Sequence, residues 1–255
     1  MTFFPVESEK LSRSVAAQIE LLILRGVLRP GERLPAERDL AERMGVSRPS
    51  LRAALSELEE AGLVQVRAGS GIYIADLLAP AFPVPLIRLF ATHDEAVHDY
   101  IAFRRDMEGL TAARAAEAGS ATDIAVIAGI FGRMEQAHES RAPGEEARLD
   151  AEFHMAIVEA AHNLVMLHMM RGMYRLLREG IFANRAALFQ RRSTRATLLA
   201  QHRAIFEAIR DHDPDRARNA VGAHLDFVEQ TMIDLRRTEH NERIARQRLL
   251  HAAES

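Results

Sequence analysis

The sequence predicts a mostly α-helical protein in two parts: an N-terminal winged helix-turn-helix and a C-terminal all-helical antiparallel bundle. Three observations predict it. Two short helical patterns, separated by Gly45, run into two β-like segments around a glycine-rich turn. Pro80, Pro83 and Pro85 then fall close together, which marks a boundary. Beyond them, residues 93–250 are dominated by Ala, Leu, Arg and Glu, with sparse breakers and no strand signal. The expected domains are therefore 1–75, a linker over 76–92 with a short helix at 86–91, and a helical domain over 93–250.

The N-terminal part is justified element by element. Residues 11–27 form the first helix, with Val15, Ile19, Leu22 and Ile23 as its apolar stripe. Leu34–Met44 is the second, opened by Pro35, with Leu40, Ala41 and Met44 facing inward. Gly45 makes the tight turn. Ser47 is a good N-cap for the third helix, because its hydroxyl can accept an otherwise unpaired backbone N–H. Pro49 sits in the first turn, and Leu51, Ala54, Leu55 and Leu58 recur on one face. Gly62 ends the helix. Its N-terminal end offers Arg48, Ser50 and Arg52, side chains that suit the DNA major groove. The bland alternative is a solvated arginine face on a small helical domain. Leu63–Arg67 and Ile72–Ile74 around Ala68-Gly69-Ser70-Gly71 complete a two-stranded wing.

Composition narrows the function classes. With 255 residues, two domains and a sizeable core are expected. The net charge of −3 excludes a wholly basic nucleic-acid coat, yet leaves room for a local basic face. Cysteine is absent, which removes disulfides, thiolate metal sites and Cys nucleophiles. No run of apolar residues is long enough to span a bilayer, and Met1–Lys10 shows no signal-peptide pattern, so no membrane partner and a cytoplasmic location are expected.

Residues 11–75 resemble the N-terminal domain of GntR-family bacterial transcription regulators. The resemblance rests on Leu28–Arg38, Val46–Arg52, Leu58–Leu63 and the glycine-rich wing. It implies that Arg38, Ser47, Arg48, Ser50 and Arg52 contact operator DNA, and that Gly69 at the wing tip approaches the minor groove. Arg48 or Arg52 suits a guanine edge, a bidentate contact worth about 1–3 kcal/mol of discrimination. Ser47, Ser50 and Arg38 suit phosphates, which set register.

In the bundle, helices are expected near 94–118, 121–140, 144–161, 164–190, 195–211 and 214–248, with a fraying end over 236–255. Asp150 and His154 lie one turn apart on one helix face. His202 and His224 lie on two later helices. One carboxylate and three imidazoles meeting in the interior would suit Zn²⁺ or a similar divalent ion. The competing reading is that each is a hydrogen-bonded core histidine, among the eleven in the chain.

This region resembles the effector domain of the FadR subfamily, the FCD domain. The resemblance runs through Arg104–Glu108, Asp150-x-x-Phe153-His154, Ala160–Asn163, His202–Ile209 and His224. It implies that Asp150, His154, His202 and His224 ligate a divalent metal, zinc being expected. It further implies that Arg104 pairs with the carboxylate of an effector. A surface salt bridge is the plain alternative for Arg104. Asn163 is either an effector contact or an N-cap. Within the subfamily, regulators of pyruvate and lactate metabolism are the nearest in pattern.

The expected function is a homodimeric, non-enzymatic regulator, with repression the expected sign. It would bind a pseudo-palindromic double-stranded operator and respond to a small 2-hydroxy or 2-oxo acid at the metal site. The rivals are a fatty acyl-CoA-responsive regulator and a metal-dependent hydrolase.

Overall fold

The computed structural model describes residues 8–77, 83–176, 188–189 and 192–254. The chain divides into two compact units, Met1–Phe82 and Pro83–Ser255.

The first unit contains α1 (Ser8–Leu24), α2 (Glu37–Met44), α3 (Arg48–Glu60), β1 (Val64–Arg67) and β2 (Gly71–Ile74). The α3 cap is as the sequence indicates: Ser47 is extended, its hydroxyl accepts from the Ser50 N–H, and Pro49 lies in the first turn. Gly45 closes α2 with φ +65, and its N–H bonds back to the Ala41 and Glu42 carbonyls. β1 and β2 pair antiparallel with Val64 opposite Ile74 and Arg67 opposite Gly71. Gly69 takes φ +70 at the tip of this wing, a conformation glycine adopts without strain. Val15, Ile19 and Ile23 of α1, Leu51, Leu55 and Leu58 of α3, and Val64 and Ile74 of the wing form one core. Leu22 of the expected stripe is only half-buried.

Two boundaries differ from expectation. α1 stops at Leu24, because Gly26 turns at φ +73 and donates to the Ile23 carbonyl. α2 begins at Glu37, not Leu34. Arg33 bridges Tyr73, and the Leu34 N–H bonds to the Ile72 carbonyl, so this stretch joins the wing. Pro35 also disfavours helix at the residue before it.

The second unit is helical throughout its described residues. It comprises α4 (Val84–Thr92), α5 (Asp94–Ala118), α6 (Ala121–Glu139), α7 (Pro143–Ala160), α8 (Leu164–Leu176), α9 (Arg192–Arg210) and α10 (Pro214–Glu254). α4 takes up most of the second half of the 76–92 segment and packs on α5, so that half is not linker. A reciprocal capping box of Ser120 and Asp123 opens α6. The part of the expected 164–190 helix beyond 176 lies almost wholly outside the described residues. α9 starts at Arg192, three residues before the expected position, and Thr194 and Arg195 are already buried. Arg195 donates from Nε to both Glu146 oxygens at 2.9 and 2.8 Å and from Nη2 to the His138 carbonyl, joining α9 to α7 and α6.

α10 stays helical to Glu254, where fraying was expected. Ion pairs Arg237–Asp234 and Arg246–Glu242, one helical turn apart, support its exposed end. α10 packs along α5 and α9, α6 packs on α7 and α9, and α5 on α7. No helix among the described residues is long and apolar enough to cross a membrane.

Leu58 is fully buried in the first core. Leu58→Ala should cost about 2–5 kcal/mol of stability in that unit. Urea unfolding followed by circular dichroism checks it; a loss under about 1 kcal/mol would mean that the core closes without Leu58.

Candidate metal centre and nucleic-acid interface

The centre of the helical unit is built from ordinary amphipathic stripes. On α7, Leu149, Phe153 and Ile157 are buried, and Asp150 and His154 continue the same inward side. On α9, Leu198, Ile205 and Ile209 flank His202; on α10, Ala217, Val221, Leu225 and Val228 flank His224. Each polar residue therefore occupies a position that helical periodicity sends to the core. Asp150, His154, His202 and His224 are all at most 3% exposed. One ligand atom from each lies within 4.8 Å of every other. The structure thus brings together the four residues that the sequence set apart on three helices.

The outer contacts orient the imidazoles. His154 Nδ1 lies 2.9 Å from Glu108 Oε2, a residue of α5. His202 Nδ1 lies 2.7 Å from the Leu198 carbonyl, and His224 Nδ1 lies 3.2 Å from Gln201 Oε1. All three partners are acceptors, so each can take a hydrogen bond from an Nδ1–H and leave Nε2 facing inward. His202 Nε2 lies 3.3 Å from His154 Nε2 and 3.1 Å from Asp150 Oδ1. With both Nε2 atoms unprotonated, these nitrogens and the carboxylate would repel unless a cation lay among them. The donor set fits a divalent ion, and its nitrogen and oxygen atoms match borderline metals. Phe153 meets the His154 and His202 rings edge-on at 5.7 and 5.2 Å, which keeps this side apolar.

Arg104 of α5 is 3% exposed, so the plain reading of it as a surface salt bridge fails. Its Nε donates to Glu108 Oε1 at 2.5 Å. Burial opposes the guanidinium charge, but the Glu108 carboxylate together with Tyr174 and Tyr100 outweighs it and raises the pKa. Burial likewise opposes ionisation of Glu108, and Arg104 and then His154 overcome it, holding the carboxyl well below its usual range. Arg104 and Glu108 thus form a buried ion pair that reaches His154 beside the centre. Tyr174 of α8 closes its side: its ring lies 6.5 Å from that of His154 and beneath the Arg104 guanidinium at 5.4 Å.

Glu108, Gln201 and Tyr174 carry no role in the sequence reading. Glu108 alone left a trace, as an acid four residues after Arg104, a spacing that also describes any exposed helix pair. Asn163 does not join the centre through any described contact. Its Oδ1 accepts from the Met166 N–H at 3.0 Å, the cap of α8.

In the first unit, Arg38, Ser47, Arg48, Arg52 and Gly69 are exposed and Ser50 is half-buried. Ser47 and Ser50 share a hydroxyl–hydroxyl hydrogen bond of 2.8 Å beside the α3 cap. Arg52 Nε is held by Glu37 Oε2 at 2.7 Å, and Arg38 lies 3.5 Å from Asp39. On the wing, the Arg67 guanidinium stacks over Tyr73 at 4.2 Å.

Comparison with known proteins accounts for both units. The family "Bacterial regulatory proteins, gntR family" matches residues 11–74, and the FCD domain matches residues 99–227. The Glc operon transcriptional activator of Escherichia coli K12 is 32% identical over 238 residues, covering 92% of this chain and 94% of that protein. A second relative from the same strain, named for regulation of an L-lactate dehydrogenase operon, is 37% identical over 227 residues, covering 88% and 86%. The solved structure of Streptococcus agalactiae GntR shares the fold at a TM-score of 0.53, with 24% identity over 86% of this chain and 99% of that one. The winged unit, the helical unit and these relatives together place the chain in the GntR family of bacterial regulatory proteins, in the FadR subfamily with an FCD domain, as a DNA-binding transcription regulator and not an enzyme.

Proposed function

We propose that this regulator senses a small 2-hydroxy or 2-oxo acid at a metallated centre and changes its operator affinity in response. The observation that carries the reading is the convergence of Asp150, His154, His202 and His224 in a buried cluster, with Arg104 tied to it through Glu108. A divalent ion there, zinc fitting the donor set, would supply open positions for a carboxylate and the adjacent oxygen. Arg104 pairs with the effector carboxylate, a charge-assisted contact in a dry site. The name of the relative linked to an L-lactate dehydrogenase operon supports the same chemical class. A fatty acyl chain fits less well, since the middle of the unit is occupied by ionisable side chains.

On the DNA side, two copies of α3 read the half-sites of a pseudo-palindromic operator, and the protein acts as a homodimeric repressor. Arg48 reads a base edge: it is exposed at the first helical position, whereas Arg52 must first leave Glu37. Ser47, Ser50 and Arg38 hold phosphates, and Gly69 lets the wing tip come close to the minor groove. Effector control requires that the acid bind the DNA-competent and DNA-incompetent states unequally. A tenfold change in operator affinity needs about 1.4 kcal/mol of such coupling.

Fluorescence anisotropy on the upstream DNA of the gene tests the whole reading. Pyruvate, lactate, glycolate and citrate are titrated with and without chelator. One acid should shift the operator Kd at least about tenfold, and chelator should abolish the shift. Operator binding indifferent to every acid would remove the carboxylate sensor and leave only the DNA-binding half.

Two substitutions test the halves separately. Arg48→Ala should cost about 1–3 kcal/mol of specific operator affinity while leaving non-specific binding in place. An unchanged footprint would reject the base-edge role. His202→Ala combined with His224→Ala should empty the centre by elemental analysis; equal metal content would reject the ligand set.

A further inference from the structure

The buried polar atoms around the centre that lack a hydrogen-bond partner include two donors, Nη2 of Arg104 and the hydroxyl of Tyr174, and the acceptor Glu108 Oε2. Glu108 interacts with the Tyr174 hydroxyl as well as with Arg104 and His154. Arg104 Nε goes to Glu108, His154 Nδ1 also faces Glu108, and the Tyr100 hydroxyl donates to the Met173 carbonyl at 2.9 Å. An orphaned buried donor costs about 1–3 kcal/mol, and more when charged, so folded proteins rarely keep one without use. Here two orphans share one locus, since the guanidinium lies over the Tyr174 ring and that ring stacks near His154.

The two donors differ in chemistry. The guanidinium has a planar fork that suits a carboxylate. The phenol is a single O–H on a rigid ring, suited to one oxygen in a fixed place. A phenol of ordinary acidity keeps its proton at neutral pH, so the hydroxyl is a donor there. We infer that Tyr174 is an effector-binding residue, donating to the oxygen on C2 of the acid while Arg104 holds its carboxylate. The assignment rests on the carboxylate-sensor reading above and gives it a selectivity: acids with oxygen at C2 are preferred over unsubstituted ones.

Tyr174→Phe tests this in the full-length, metal-loaded protein, because it keeps the ring against His154 and Arg104 and removes only the hydroxyl. Calorimetry with lactate, pyruvate and propionate is the readout. Affinity for the 2-oxygenated acid that the wild type binds should fall about tenfold, with propionate affinity, metal content and operator affinity unchanged. Equal affinities in wild type and variant would overturn the inference alone. An equal loss for all three acids would also overturn it, since the ring would then be acting as packing. If the wild type binds none of the acids, the sensor reading falls and takes the inference with it.

A second measurement needs no variant. The chain has three tyrosines and no tryptophan. Saturation with the bound acid should perturb the near-UV tyrosine band, and the perturbation should vanish in Tyr174→Phe. Binding without any perturbation would overturn the assignment.

Discussion

The helical unit depends on how a carboxylate and three imidazoles can be kept dry. Uncompensated, each would cost more to bury than a neighbouring Leu or Ile contributes. The compensation is arranged from outside inward. Glu108, the Leu198 carbonyl and Gln201 each lie against one imidazole Nδ1, which orients the three rings. The remaining inward repulsion between Asp150, His154 and His202 is what a divalent cation relieves. The helices that supply these groups are α5, α7, α9 and α10, and they are also principal packing partners in the unit. Metal binding at this cluster would thus be part of the same constraint as helix packing.

A second buried charge pair shows the contrast between structure and site. Arg195 and Glu146 are also buried, but their geometry is closed: the guanidinium spans both carboxylate oxygens and reaches the His138 carbonyl as well. Nothing there is left to bind. Arg104 and Glu108 share a single 2.5 Å contact, and part of the fork stays unused. A buried arginine with a complete set of partners reads as a clamp, and one with a spare N–H reads as a receptor.

What the sequence reveals follows the range of the interaction involved. The α3 cap at Ser47, the turn at Gly45 and the capping serine at the Ser120 break are settled within a few residues, so these breaks were legible. The true start of α2 was not, because Leu34 answers to Ile72 in the wing. The length of α10 was misjudged for the opposite reason. A charged, exposed segment looks like a fraying tail, yet its own one-turn ion pairs sustain the helix. In the centre, Asp150 and His154 were marked by their spacing, His202 and His224 as imidazoles on two later helices, and the resemblance joined the four as one ligand set. Glu108 and Tyr174 depend on proximity to His154 across other helices, and no local pattern announces that.

The chain from Arg104 through Glu108 to His154 also bears on how effector and metal depend on each other. Glu108 is shared: one oxygen holds the arginine, the other faces the histidine. An anion that draws Arg104 toward itself weakens its hold on Glu108, and the carboxylate then bears more fully on the His154 N–H. That makes the opposite nitrogen a better donor. A cation in the centre would act on His154 in the same sense, acidifying its N–H and tightening the contact with Glu108. The two ligands therefore act on one shared carboxylate from opposite ends. With both bound, their binding energies would be coupled even where they do not touch, and that coupling would be reciprocal by thermodynamic necessity.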